Sequence, residues 1–115
     1  TYILGGEFRS NSNALIGGWS VKAINEIRAD AAIIGTSGFC GRQGPCVENF
    51  PESEIKKAMI ENSNKVIVVG DSSKARTNAL IQYCDWEDVD AFITDRGLPE
   101  ELKEELDNKT QLVIV

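Results

Sequence analysis

Two short stretches carry most of the polar chemistry in this 115-residue chain: Gly35-Thr36-Ser37-Gly38 and Gly70-Asp71-Ser72-Ser73-Lys74. Glycine permits backbone conformations that aim successive N–H groups at one point, and short side chains let an oxyanion approach closely. Thr36 and Ser37 add hydroxyl donors. Lys74, three residues beyond Asp71, offers a flexible cation suited to phosphate. The pattern points to an anion site. A plainer reading stands beside it, since Gly-Ser turns also end strands and a lysine near a turn is commonly solvated. Asp71, Asp95, Glu48 and Glu52 are the carboxylates of the same region. They can bind sugar hydroxyls or move a proton, or simply cap a helix (Glu52) and close turns (Asp71, Asp95). We read Glu52 as a cap and Asp71 as a ligand contact or as the group that positions Lys74.

Composition excludes several chemistries. The chain has no histidine and three cysteines, Cys40, Cys46 and Cys84, with no C-x-x-C spacing. The usual zinc sets and the Ser-His or Cys-His arrangements are therefore excluded. We expect no catalytic residue, no metal and no cofactor, with reduced, structural cysteines. Eighteen acidic against twelve basic side chains give a net charge of −6. Nucleic acid is bound by basic faces, so this chain is not itself expected to bind it. No apolar run approaches the ~20 residues that span a bilayer. Gly35, Gly38, Gly41 and Gly44 spell G-x-x-G-x-x-G after a strand. A dinucleotide site needs the helix to begin within that run, yet Pro45–Phe50 intervene, and Asp71 comes too late for the ribose. There is no Walker lysine motif either.

The elements that must hold these turns are short. Tyr2–Leu4, Ala31–Ile34, Lys65–Val69, Ala91–Ile93 and Leu112–Val115 are nearly continuous apolar runs, the pattern of parallel strands buried on both faces. Ala79–Cys84 fits either a strand or a short helix. Ile16, Trp19, Ala23 and Ile27 follow helical spacing; Glu52–Asn62 places Ile55, Ala58 and Met59 on one side; Pro99–Asp107 carries a stripe of Leu98, Leu102 and Leu106. Trp19, Trp86, Tyr83 and Phe92 are read as packing residues. Alternation of strand and helix predicts an α/β fold with a parallel sheet and helices on its faces. Gly5-Gly6, Gly35–Gly38, Gly70–Lys74 and Thr94-Asp95 then follow four strands, at the carboxyl edge where open sheets bind ligands.

In their order the motifs resemble the effector domain of DeoR-family transcription regulators. Gly5-Gly6-Glu7-Phe8-Arg9, Ala29-Asp30 leading to Ile34–Gly38, Glu52 through Lys56 to Met59-Ile60, Asp71-Ser72-Ser73-Lys74 and Asp90–Asp95 carry the resemblance over nearly the whole chain. It implies a Rossmann-like, three-layer α/β fold related to ribose-phosphate isomerases, in a bacterial cytoplasmic regulator of carbohydrate genes. It also implies a phosphorylated-sugar effector, homo-oligomerisation and operator binding by a winged helix-turn-helix outside these residues, with no membrane partner. The implied ligand residues are Gly5, Gly6, Gly35, Thr36, Ser37, Gly38, Asp71 and Lys74.

The chain departs from that family at two places: its Gly-Thr-Thr phosphate loop is absent, and Pro45-Cys46-Val47-Glu48-Asn49 stands where a Leu-Thr-Thr-like stretch is usual. With Thr1 first and an apolar run at Tyr2, residues 1–115 read as one effector-binding domain lacking its first part. A sugar-phosphate isomerase is the rival reading, but its acidic strand-end positions fall on Ile34, Ser37 and Gly38 here. A degenerate oligomerisation domain is the third.

Overall fold

Four of the five apolar runs pair side by side in the computed structural model, which describes residues 1–115. In chain order the elements are β1 (Glu7–Arg9), β2 (Ala14–Ile16), α1 (Gly18–Asn25), β3 (Ala29–Gly35), β4 (Cys46–Val47), α2 (Phe50–Glu61), β5 (Ser63–Val69), β6 (Ile81–Gln82), β7 (Ala91–Thr94), α3 (Glu100–Asp107) and β8 (Gln111–Ile114). Single 3-10 turns occupy Ser72–Arg76 and Trp86–Asp88. The main sheet has the order β3-β5-β7-β8 and is parallel throughout. The fold is the expected Rossmann-like α/β class, a parallel sheet flanked by helices.

Each step along that order moves the same way across the sheet. Parallel connections are right-handed, so three steps in one direction put all three connecting segments on one face. The buried residues follow this rule. Ala32, Ile34, Val66, Val68 and Phe92 point into one core with Phe39, Ala75, Trp86, Val89, Leu98 and Leu106, which come from the connections. Phe39, Trp86 and Phe92 form its centre, with ring centroids 4.8 to 5.5 Å apart. Met59, Ile60 and Leu102 close it from α2 and α3.

The alternate row of the sheet is different. Ile33 is 68% exposed and Val69 42% exposed, and Ile67, Ala91, Ile93 and Val113 are only half-buried. Burial on both faces, expected from the continuous apolar runs, holds for one face only.

Three local expectations are corrected. Tyr2–Leu4 is not a strand; Tyr2 is fully exposed and Ile3 nearly so, because no neighbouring strand is there to pair with them. Gly5-Gly6 therefore does not follow a strand of the sheet but leads into the β1–β2 hairpin. Second, α1 buries Ser20 and Ile24, not the Trp19 face, and Trp19 is 83% exposed. The Ser20 hydroxyl donates to the Gly5 and Ile16 carbonyls, so a small polar side chain takes the inward position. Third, Ala79–Cys84 is neither a full strand nor a helix: only Ile81–Gln82 pairs, antiparallel to Cys46–Val47.

Helix α2 begins at Phe50 rather than Glu52, and its cap is Asn49 rather than the expected Glu52. Asn49 caps α2, its side chain accepting from the Glu52 N–H at 3.0 Å and donating to the Glu52 carboxylate at 2.8 Å. Leu98 and Leu106 of the α3 stripe are buried.

The glycine run also finds its explanation in packing. Residues 36–46 lie flush against residues 77–85. A Cβ on Gly38 would stand 2.2 Å from the Thr77 carbonyl oxygen, and one on Gly44 1.9 Å from that of Cys84. Both are backbone atoms that cannot swing aside. Gly38→Ala should therefore destabilise the fold by about 2–3 kcal/mol, measured by denaturant unfolding. Thr94 gives the opposite case, because its hydroxyl is buried without a hydrogen-bond partner. Removing such an unpaired group recovers its desolvation cost, so Thr94→Val should raise stability by about 1 kcal/mol in the same assay.

Candidate functional site

The carboxyl ends of β3, β5 and β7 bring three of the four expected turns to one edge. At the end of β3, Thr36 is buried and its hydroxyl is at the centre of a knot. The hydroxyl lies 3.1 Å from the Cys46 carbonyl and 3.2 Å from that of Gly38, and receives the N–H groups of Gly38 and Cys46 at 3.2 Å. The Ser37 amide donates to the Cys46 carbonyl at 2.8 Å, and the Cys46 amide returns to Gly38 at 3.0 Å. Farther along, the Phe39 amide donates to Lys74 and the Cys40 amide to Thr77. From Ser37 to Cys40, then, every backbone N–H has an acceptor inside the protein. The turn is latched shut rather than opened as an amide cradle.

Polar capacity at this edge therefore rests on side chains. Gly35, Thr36 and Ser37 form one wall of a cleft of about 290 Å³, whose other walls are Ser12 and Ala14 of the hairpin, Val47, and Glu52 and Lys56 of α2. Glu52 and Lys56 are one helical turn apart and so share a face of α2. The Glu52 carboxylate is held by Asn49. The chain's two ion pairs, Lys103–Glu100 and Lys109–Glu105, involve neither residue. The Lys56 ammonium lies 5.9 Å from the centre of the Tyr83 ring. Burial pulls its pKa below the ordinary lysine value, with Glu52 opposing the shift. Tyr83 in turn donates its hydroxyl to the Gly35 carbonyl at 2.8 Å, tying the 81–83 segment to the end of β3.

Lys74 adjoins the Thr36 turn, but neither it nor Asp71 lines this cleft. Gly70 marks the junction: a Cβ there would stand 3.0 Å from Thr36 Cγ2 and 3.4 Å from Lys74 Cγ. Asp71 caps the 3-10 turn by accepting from the Ser73 N–H at 2.9 Å and from the Ser73 hydroxyl. Those bonds, the hydroxyl's first, hold its carboxyl below the usual range, with Lys74 adding a smaller pull. Asp95 does the same work for the next turn, accepting from Ser72 at 3.0 Å and Gly97 at 2.9 Å. Gly5 and Gly6 are not part of this cleft. Gly6 borders a separate shallow surface with Glu7, Gly17 and Trp19.

The structure thus gathers Gly35, Thr36 and Ser37 along one cleft, leaves Gly38, Asp71 and Lys74 outside its lining, and sets Gly5 and Gly6 apart. Lys56 and Ser12 belong to the cleft without having been singled out as site residues from sequence. The i, i+4 spacing of Glu52 and Lys56 after an Asn cap was the available signal. Burial disfavours the thiolate at two of the three cysteines, raising Cys46 and pushing Cys84 up to about 12.

Comparison with known families places the chain in a class. Residues 1–96 match the DeoR C terminal sensor domain, and the chain belongs to that family. Among curated relatives, it is 37% identical over 98 residues to the glycerol-3-phosphate regulon repressor of Escherichia coli, covering 84% of this chain and 38% of the repressor. It is 29% identical over 112 residues to the HTH-type transcriptional regulator GlpR of Haloferax volcanii, covering 97% of this chain and 44% of that protein. The HTH-type transcriptional repressor GlcR of Bacillus subtilis is 29% identical over 95 residues, covering 83% and 36%. The chain spans less than half the length of these relatives. No helix is long and apolar enough to cross a membrane.

The two capping aspartates predict an acid limit. Their carboxyls are depressed in the folded state, so the stability they contribute is present above the unfolded value of about 3.9 and is lost as pH falls through the folded value. The stability advantage of the native chain over Asp95→Asn should be full at pH 6 and shrink below about pH 4, read from urea unfolding at each pH.

Proposed function

We propose that this chain is the effector-sensing domain of a DeoR-type transcription regulator of carbohydrate metabolism, binding a phosphorylated sugar that changes operator affinity. The observation that carries the reading is the polar cleft at the carboxyl edge of the sheet, with Ser37 and Lys56 on its walls and Lys74 adjoining the Thr36 turn. Ligands of open parallel sheets bind at that edge, and phosphate is recognised there by cations and short hydroxyl side chains. Regulatory names among the relatives, including a repressor of a glycerol-3-phosphate regulon, support the same class. In this reading operator contact belongs to a winged helix-turn-helix elsewhere in the polypeptide, since these residues carry a net charge of −6. A cytoplasmic homo-oligomer suits a regulator that reads repeated half-sites.

The role is binding, not turnover. Histidine is absent, both capping aspartates are held as anions by their turns, and Glu52 is committed to Asn49. Lys74 adjoins the Thr36 turn and supplies charge to the ligand. Calorimetry of the intact protein against a panel of sugar phosphates checks this. Lys74→Ala should weaken binding by about tenfold or more, the scale of one charge-assisted hydrogen bond. Unchanged affinity removes Lys74 from the site, and conversion of any ligand in the panel identifies an isomerase instead.

A further inference from the structure

We infer that Lys56, together with the Ser37 hydroxyl, is the group that binds the ligand's oxyanion inside the cleft, a role that residue types and spacing gave to the turn's backbone amides. The inference rests on the sensing reading and deepens it by naming the recognising atoms.

Elimination and geometry both lead there. Amides of Ser37, Gly38, Phe39 and Cys40 all donate to acceptors within the protein, and the Thr36 hydroxyl is enclosed by Gly38 and Cys46. None of them is free to meet a ligand without undoing the latch. Of the cleft's side chains, Glu52 repels an oxyanion and is already bonded to Asn49. Ala14 and Val47 are apolar. Ser12, Ser37 and Lys56 remain, and Lys56 is the one cation among the residues that line the cleft.

Its surroundings are those of an ammonium prepared for an external acceptor. Lys56 also lines an apolar cleft bounded by Ile24, Ile55 and Met59, a setting that suits a lysine's methylene stem. The head faces the Tyr83 ring and makes no ion pair in the chain. A partly desolvated ammonium with three donors and no strong acceptor gains more from an oxyanion than a solvated one does. Lys74 adjoins the Thr36 turn at Gly70 but does not line the cleft.

The test uses the intact protein with three variants, Lys56→Ala, Lys56→Met and Lys56→Arg. Met keeps the apolar stem packed, so it separates loss of charge from loss of folding. The expected result is a tenfold or greater loss of affinity for phosphorylated sugars in Lys56→Met and Lys56→Ala. Lys56→Arg should stay within severalfold of wild type, and the matching unphosphorylated sugars should show no dependence on residue 56. Wild-type affinity in Lys56→Met overturns the inference while leaving the sensing reading intact. A carboxylated sugar that binds as well as the phosphorylated one, with equal dependence on Lys56, keeps the oxyanion role and changes its source.

If no sugar phosphate binds wild type, the sensing reading fails, and inorganic phosphate then decides the inference by itself. Lysines are tagged by reductive ¹³C-methylation, which preserves their charge, and the Lys56 signal is assigned by its loss in Lys56→Arg. A shift of that signal on phosphate titration supports the assignment. Movement of the Lys74 signal alone, or of neither, overturns it.

Discussion

Handedness is the constraint from which the rest of this structure follows. Once β3, β5, β7 and β8 are laid down in order across a parallel sheet, right-handed connections have one face available to them. That forces residues 36–62, 70–90 and 95–110 into a single crowded layer. The aromatic centre of Phe39, Trp86 and Phe92 is the product of this crowding, since each ring arrives from a different part of the chain. So is the close approach at Gly38 and Gly44, where two loops share the space above the strand ends and only a residue without a side chain leaves room for the neighbouring carbonyl.

The same crowding defines the site. Loops pressed together satisfy one another's backbone groups, and the Thr36 hydroxyl shows how far this goes, bonding both Gly38 and Cys46, the latter ten residues along the chain from Thr36. A turn stitched in this way is rigid and well placed, but its amides are occupied. Recognition then passes to the side chains along its border. Two lysines from different elements come near this latched turn, Lys56 of α2 lining the cleft and Lys74 of the 3-10 turn after β5 adjoining it at Gly70.

Much of this was legible in residue types. Runs such as Lys65–Val69 and Ala91–Ile93 are apolar and β-branched enough to define central strands, and the spacing of Ile55, Ala58 and Met59 marks the inner face of α2. Family resemblance ordered the same motifs correctly, as the match over residues 1–96 attests. What local pattern does not carry is pairing over distance. Tyr2–Leu4 has the composition of a strand but lacks a neighbour, and composition alone does not reveal that. Gly35–Gly38 has the composition of an anion cradle, but the Ser37 amide is taken by the distant Cys46 carbonyl and the Gly38 amide by the Thr36 hydroxyl. Trp19 shows the same limit on α1, where Gly5 approaches Ser20 and turns the helix away from its largest side chain.

The open row of the sheet has a thermodynamic signature. Only 27 of 115 residues are buried, and Ile33, Val69 and their neighbours already meet water in the native state. Unfolding hydrates less new apolar surface than it would for a sheet covered on both sides. The heat-capacity increment and the denaturant m-value both scale with that newly hydrated surface, so both are small for this length. The stability curve of these 115 residues is correspondingly gently curved in temperature and shallow in urea.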